Sequence, residues 1–106
     1  MTLRVRFSPE ARRDLFALYD YIAHEAGPAR AMGYIGRIEE YCLGFADAPE
    51  RGTRRDDIRS GLRTVGFEGR VLIAFDIGPD GVTIDRILYG GRDTGRALRR
   101  PRRTRR

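Results

Sequence analysis

The sequence predicts an α+β fold in the order β-α-α-β-β-β, with a helical hairpin packed on one face of a small, mainly antiparallel sheet. Three observations carry this expectation. Two stretches with helical apolar spacing are separated by a single glycine, three later stretches alternate as strands do, and a short alternating strand precedes them all. A chain of 106 residues fits one domain, because cores of this size rarely divide.

Leu3, Val5 and Phe7 alternate with Arg4 and Arg6, the pattern of a strand with one buried face. Ser8-Pro9-Glu10 then starts a helix: serine can cap an orphan amide, proline at the first helical position gives up nothing, and Glu10 complements the positive helix end. Ala11, Leu15, Leu18 and Ile22 recur on one face of that helix, which ends near Gly27. Pro28 opens a second helix, striped by Ala31, Ile35, Ile38, Cys42 and Phe45, widened by Tyr34 and Tyr41, and stopped by Ala48-Pro49. So short a connection forces the helices antiparallel.

Residues 49–61 hold almost no apolar side chain and read as a surface loop. Leu62 to Phe67 is the next strand, and Glu68-Gly69 suits a tight hairpin into a third strand whose faces carry Val71, Ile73, Phe75, Ile77 and Leu72, Ala74. With apolar residues on both faces, that strand belongs at the centre of the sheet. Gly78-Pro79-Asp80-Gly81 turns the chain into a last strand from Val82 to Tyr89. The apolar residues change parity at Asp85-Arg86, which predicts a bulge there.

Charge divides the chain unevenly. Residues 1–95 hold 14 arginines against 15 acids, while residues 96–106 add seven arginines and no acid, so the net +6 belongs to the end of the chain. All 21 basic residues are arginine, which leaves no lysine for general-base or Schiff-base chemistry. One cysteine, Cys42, excludes an intrachain disulfide, and with His24 the only histidine a Cys/His zinc site has too few ligands. No stretch approaches the roughly 20 apolar residues of a membrane-spanning helix, and Met1-Thr2-Leu3-Arg4 leads straight into the first strand without a signal-peptide pattern; the expected address is cytoplasmic.

Phe7-Ser8-Pro9-Glu10-Ala11, followed by Asp14-Leu15 and Asp20-Tyr21-Ile22-Ala23, resembles the opening of ParE toxins in the ParE/RelE superfamily of toxin-antitoxin modules. Pro49, Gly52, the run Arg55 to Arg63, and Ile84 to Asp93 are similar to that family's later landmarks, so the resemblance covers residues 3 to about 98. It implies a toxin domain over residues 1–98, followed by an arginine-rich tail at 99–106. It also implies a ParD-like antitoxin partner, no cofactor, and one of two activities. ParE-like members are inhibitors of DNA gyrase without a nuclease site. RelE-like members, the alternative reading, cleave messenger RNA on the ribosome with basic side chains and a tyrosine near the C-terminus. Arg63 and Arg92 match two arginines of the RelE pattern, but Leu98 falls where its tyrosine would stand, and Arg54 and Arg55 replace its loop lysines. Cleavage through a 2′-hydroxyl needs proton transfer, at which arginine is poor. The expected function is therefore a non-enzymatic gyrase inhibitor with no catalytic residue and no metal.

Arg63 and Arg92 are the candidate target contacts, with pairing to nearby carboxylates as the competing role. Phe16, Tyr19 and Ala23 lie roughly 60 to 120 degrees from the core stripe of the first helix. Together with Met32 and Leu43 on the second, Phe16 and Tyr19 are the candidate antitoxin contacts, the competing role being the edge of the core. His24 suits a helix C-terminus, Cys42 suits the core, and Gly90-Gly91 is too short for a phosphate loop. The tail reads as a disordered electrostatic arm for DNA or for an acidic antitoxin segment, or else as a solvated extension.

Overall fold

The computed structural model describes residues 3–90 and 94–99; Arg92 and residues 100–106, where one target contact and nearly all of the arginine arm were expected, lie outside them. The elements are β1 (Arg4–Phe7), α1 (Pro9–Ala26), α2 (Pro28–Leu43) with a 3-10 turn at Gly44–Ala46, β2 (Thr53–Arg54), β3 (Arg63–Phe67), β4 (Val71–Gly78), β5 (Gly81–Tyr89) and α3 (Thr94–Arg99). The strands form one sheet in the order β1-β5-β4-β3-β2, parallel only between β1 and β5. β4 is central, as its two-sided apolar sequence requires. Two elements were not expected. β2 is a two-residue strand inside the polar loop, and α3 is a short helix after β5.

The helical hairpin covers one face of the sheet. Ala11, Leu15 and Leu18 of α1, together with Ile38, Cys42 and Phe45, pack against Val71, Ile73, Phe75, Val82, Ile84 and Ile87. Phe45 and Phe75 sit 4.6 Å apart between ring centroids. Gly27 both ends α1 and precedes α2; its φ of 95° suits glycine, and its amide donates to the Ala23 carbonyl at 2.9 Å. On the other face a smaller cluster forms from Leu62, Ala74, Leu88 and Leu98, with Ile58 and Ala97 against it. The apolar face of α3 closes this second cluster, which is why a sequence rich in arginine still forms a helix there.

The bulge falls where the parity change placed it. Ala74 pairs with Arg86 and Phe75 with Ile84, so Asp85 is the extra residue of β5. At the same level β1 stops, Phe7 being the last residue paired with β5. Ser8 makes the handover: its amide donates to the Ile84 carbonyl (2.9 Å), its hydroxyl donates to the Asp85 carbonyl (2.8 Å), and that hydroxyl accepts the Ala11 amide (2.9 Å) as the α1 cap. Beyond it, Asp14 of α1 accepts the Ile87 amide at 2.8 Å and forks onto Arg86 at 2.8 and 3.0 Å. A helix side chain thus satisfies the edge of β5 that β1 leaves open.

The Asp85 side chain is buried, at 6% exposure, and meets the Arg59 guanidinium at 2.8 Å; the same nitrogen reaches Asp76 at 3.3 Å. One arginine from the 55–61 loop therefore ties that loop to two strands. Replacing it by leucine should lower stability by about 1 to 3 kcal/mol, because a buried carboxylate loses its guanidinium partner. Urea unfolding of Arg59→Leu against the parent checks this, and a change near zero would show that the loop is not held through Arg59.

Candidate functional site

The expected antitoxin residues are all on the helices but differ in exposure. Phe16 is 73% exposed, Met32 66% and Leu43 54%, whereas Tyr19 is half-buried. Phe16 and Tyr19 are three residues apart on α1, while Met32 and Leu43 stand at opposite ends of α2 and share a row through Gly36 and Glu39. Phe16, Met32 and Leu43 are thus large apolar side chains left in solvent on the two helices of the hairpin. None of the four lines the open groove of about 720 Å³ at the hairpin end, which is bordered by Tyr21, Tyr34, Tyr89, Arg30, Arg37 and Arg70 among others.

That groove is built from aromatic contacts. The Tyr21 and Tyr89 rings lie 5.7 Å apart, and Tyr34 meets Tyr89 edge-on at 6.5 Å. The Tyr34 hydroxyl is buried without a hydrogen-bond partner among the described residues. Burial first, and then the Glu68 carboxylate, push its pKa above the ordinary tyrosine value. Glu68 is held by Arg37 at 2.9 and 3.0 Å, and this pairing lowers the Glu68 pKa and raises that of Arg37. Glu68 has a φ of 51°, uncommon for a residue with a side chain, so Arg37 pins the strained tip of the β3-β4 hairpin to α2.

Sequence reasoning left the partner of Arg63 open between a carboxylate and a target. Among the described residues no carboxylate pairs with it; its Nε donates to the Arg51 carbonyl at 3.1 Å. Arg51, which sequence reasoning did not single out, lies over the Tyr41 and Phe45 rings at 5.3 and 4.7 Å and donates its Nε to the Ala48 carbonyl at 2.9 Å. A side-chain carbon at Gly52 would collide with the Thr64 carbonyl, so a glycine is needed for the chain to pass close to β3 just after Arg51. The other loop arginines are neutralised, Arg54 by Asp56 at 3.1 Å and Arg55 by Asp57 at 3.0 Å. The Gly61 amide, and after it Arg54, lower the pKa of Asp56, and the Arg55 hydrogen bond lowers that of Asp57.

Leu98 is 9% exposed and packed among Leu62, Ala74 and Leu88. His24 is exposed in the last turn of α1. Cys42 is fully buried, and desolvation pushes its thiol up to about 12, which keeps it protonated and unreactive. Among the described residues no group of three or more His, Cys, Asp or Glu side chains is arranged to hold a metal ion, and no helix is long and apolar enough to cross a membrane.

A family model described as "ParE toxin of type II toxin-antitoxin system, parDE" matches residues 5–94. The chain belongs to the ParE toxin family. A solved structure titled "Chromosomal ParDE TA system from P. aeruginosa" shares the fold with a TM-score of 0.74 at 23% identity, covering 85% of this chain and 98% of that one. A search of curated proteins found no match. The ParE match takes in α1, α2, β2 to β5 and all but the first residue of β1, so the hairpin carrying Phe16, Tyr19, Met32 and Leu43 lies within the matched region, whereas residues 95–106 lie beyond it.

If Phe16 and Tyr19 anchor an antitoxin, changing both to serine should weaken its binding by about 1 to 4 kcal/mol. Calorimetric titration of the folded double variant with the antitoxin checks this, and an unchanged affinity removes both residues from the interface.

Proposed function

We propose that this ParE-family toxin acts in the cytoplasm by inhibiting DNA gyrase, without catalysis of its own, and that a ParD-like antitoxin neutralises it by covering the helical hairpin. The observation that carries this reading is the ParE match across residues 5–94, since it aligns the helical hairpin and the sheet with toxins of this class. Leu98 supports the non-enzymatic part. Where the RelE pattern has a tyrosine, this chain has an aliphatic side chain that closes the second hydrophobic cluster and has no proton to move. Arg63 supports it too, because its Nε is committed to a backbone carbonyl and arginine stays protonated near neutral pH. The exposed Phe16, Met32 and Leu43 support the partner surface.

Expression without antitoxin is expected to arrest growth through DNA damage, with induction of the damage response before protein synthesis falls. Reporter induction and amino-acid incorporation measured in the same culture distinguish the two targets. A rapid translation block with cut messenger RNA and intact chromosomes would instead establish the ribosome-dependent nuclease.

A further inference from the structure

We propose that Met32 is an oxidation site, at which hydrogen peroxide converts the thioether to a sulfoxide and so weakens capture of the toxin by its antitoxin. Such a switch depends on the hairpin being the antitoxin surface, as proposed above, and adds a regulation to that surface.

The sequence holds three sulfur-bearing residues, Met1, Met32 and Cys42. Met1 lies outside the described residues. Cys42 is fully buried, and its thiol, pushed up to about 12 by desolvation, is kept from the thiolate form that reacts with peroxide. Met32 is 66% exposed and is the one sulfur in solvent among the described residues. A thioether has no proton to lose, so access decides whether it reacts.

The helix around Met32 keeps that access open. On its own face, Pro28 and Ala29 stand one turn before it, and Ile35 and Gly36 stand one turn after it. Ile35 is half-buried against the core, and none of the four is a long polar side chain that could fold over the sulfur. Gly33 follows Met32 directly. A side-chain carbon built at Gly33 or at Gly36 meets nothing within 4 Å, so both positions border open space. Methionine on a helix turns back over the preceding turn, where Ala29 is itself exposed and offers only a methyl group.

The step is a two-electron oxidation of sulfur. The peroxide O–O bond breaks, one oxygen bonds to sulfur, and the other leaves with both peroxide protons as water. A flexible apolar contact becomes a strong hydrogen-bond acceptor, which loses its water when an apolar partner covers it. Free toxin is open to this reaction, whereas in the antitoxin complex Met32 is covered. Peroxide therefore acts on toxin already released, and oxidised toxin is recaptured poorly and acts for longer.

The test treats the full chain with hydrogen peroxide. Peptide mass mapping should place an added oxygen on Met32 and none on Cys42, and should find the reaction faster in the free protein than in the antitoxin complex. Calorimetric titration after treatment should show antitoxin affinity lowered roughly tenfold, the loss expected of one interface anchor. Methionine sulfoxide reductases with a thiol reductant should restore it. In Met32→Leu, which keeps Met1 and Cys42, treatment should leave the affinity at that variant's own untreated value. Equal oxidation rates in free and bound protein, an unchanged affinity after full oxidation of Met32, or an equal loss in Met32→Leu each overturn the switch. The antitoxin surface is tested apart from it: weakened binding in the Phe16→Ser, Tyr19→Ser double variant, with no effect of oxidation, removes the switch and keeps the hairpin as the interface.

Discussion

The arrangement of the molecule depends on the way β1 leaves β5 at the level of the Asp85 bulge. A parallel edge strand that turned into a helix without provision would leave the second half of β5 with unpaired backbone groups and the helix with unpaired first-turn amides. Ser8 deals with both ends at once, bonding the Ile84 and Asp85 carbonyls on one side and the Ala11 amide on the other. Asp14, in the second turn of α1, then accepts the Ile87 amide. The first helix is thereby tied to β5 by its own backbone and side chains, and its apolar stripe faces the sheet because of that attachment. Gly81 contributes at the other end of β5, where any side-chain carbon would collide with the Arg4 backbone and force β1 away.

Two different surfaces follow from this attachment. Fixing α1 by its inner edge leaves Phe16 in water, and the glycine-linked return of α2 leaves Met32 and Leu43 there as well. On the opposite face, the bulge directs the buried Asp85 carboxylate to Arg59, which draws the polar loop onto the sheet and allows Ile58 and Leu62 to join the second cluster under Leu98. The same loop carries Arg51 back to the end of α2. The hairpin therefore leaves apolar side chains in solvent, and in the loop no carboxylate pairs with Arg51 or Arg63 among the described residues.

Much of this was legible in the sequence. The apolar stripes of both helices, the glycine between them, the serine cap and the parity change at Asp85 are local patterns, and each occurs where its spacing indicated. β2 was not legible, because Thr53 and Arg54 have no alternation of their own and pair only once β3 is present. α3 was not legible either, since two apolar residues among arginines amount to a helix only when a cluster awaits them. The partners of the arginines are tertiary facts. Asp56 and Asp57 beside Arg54 and Arg55 suggested local pairing, but nothing in the sequence placed Arg51 over Tyr41 and Phe45, or gave Arg63 a backbone carbonyl rather than an acid.

The attachment of α1 to β5 can be measured by native-state hydrogen exchange on the unmodified protein. If the Ser8 and Asp14 contacts hold the hairpin to the sheet, the amides of Ser8, Ala11 and Ile87 should exchange only through global unfolding, with opening free energies equal to that from denaturant titration. Exchange of the Ile87 amide several kcal/mol below the global value, as in a fraying edge, would contradict the account.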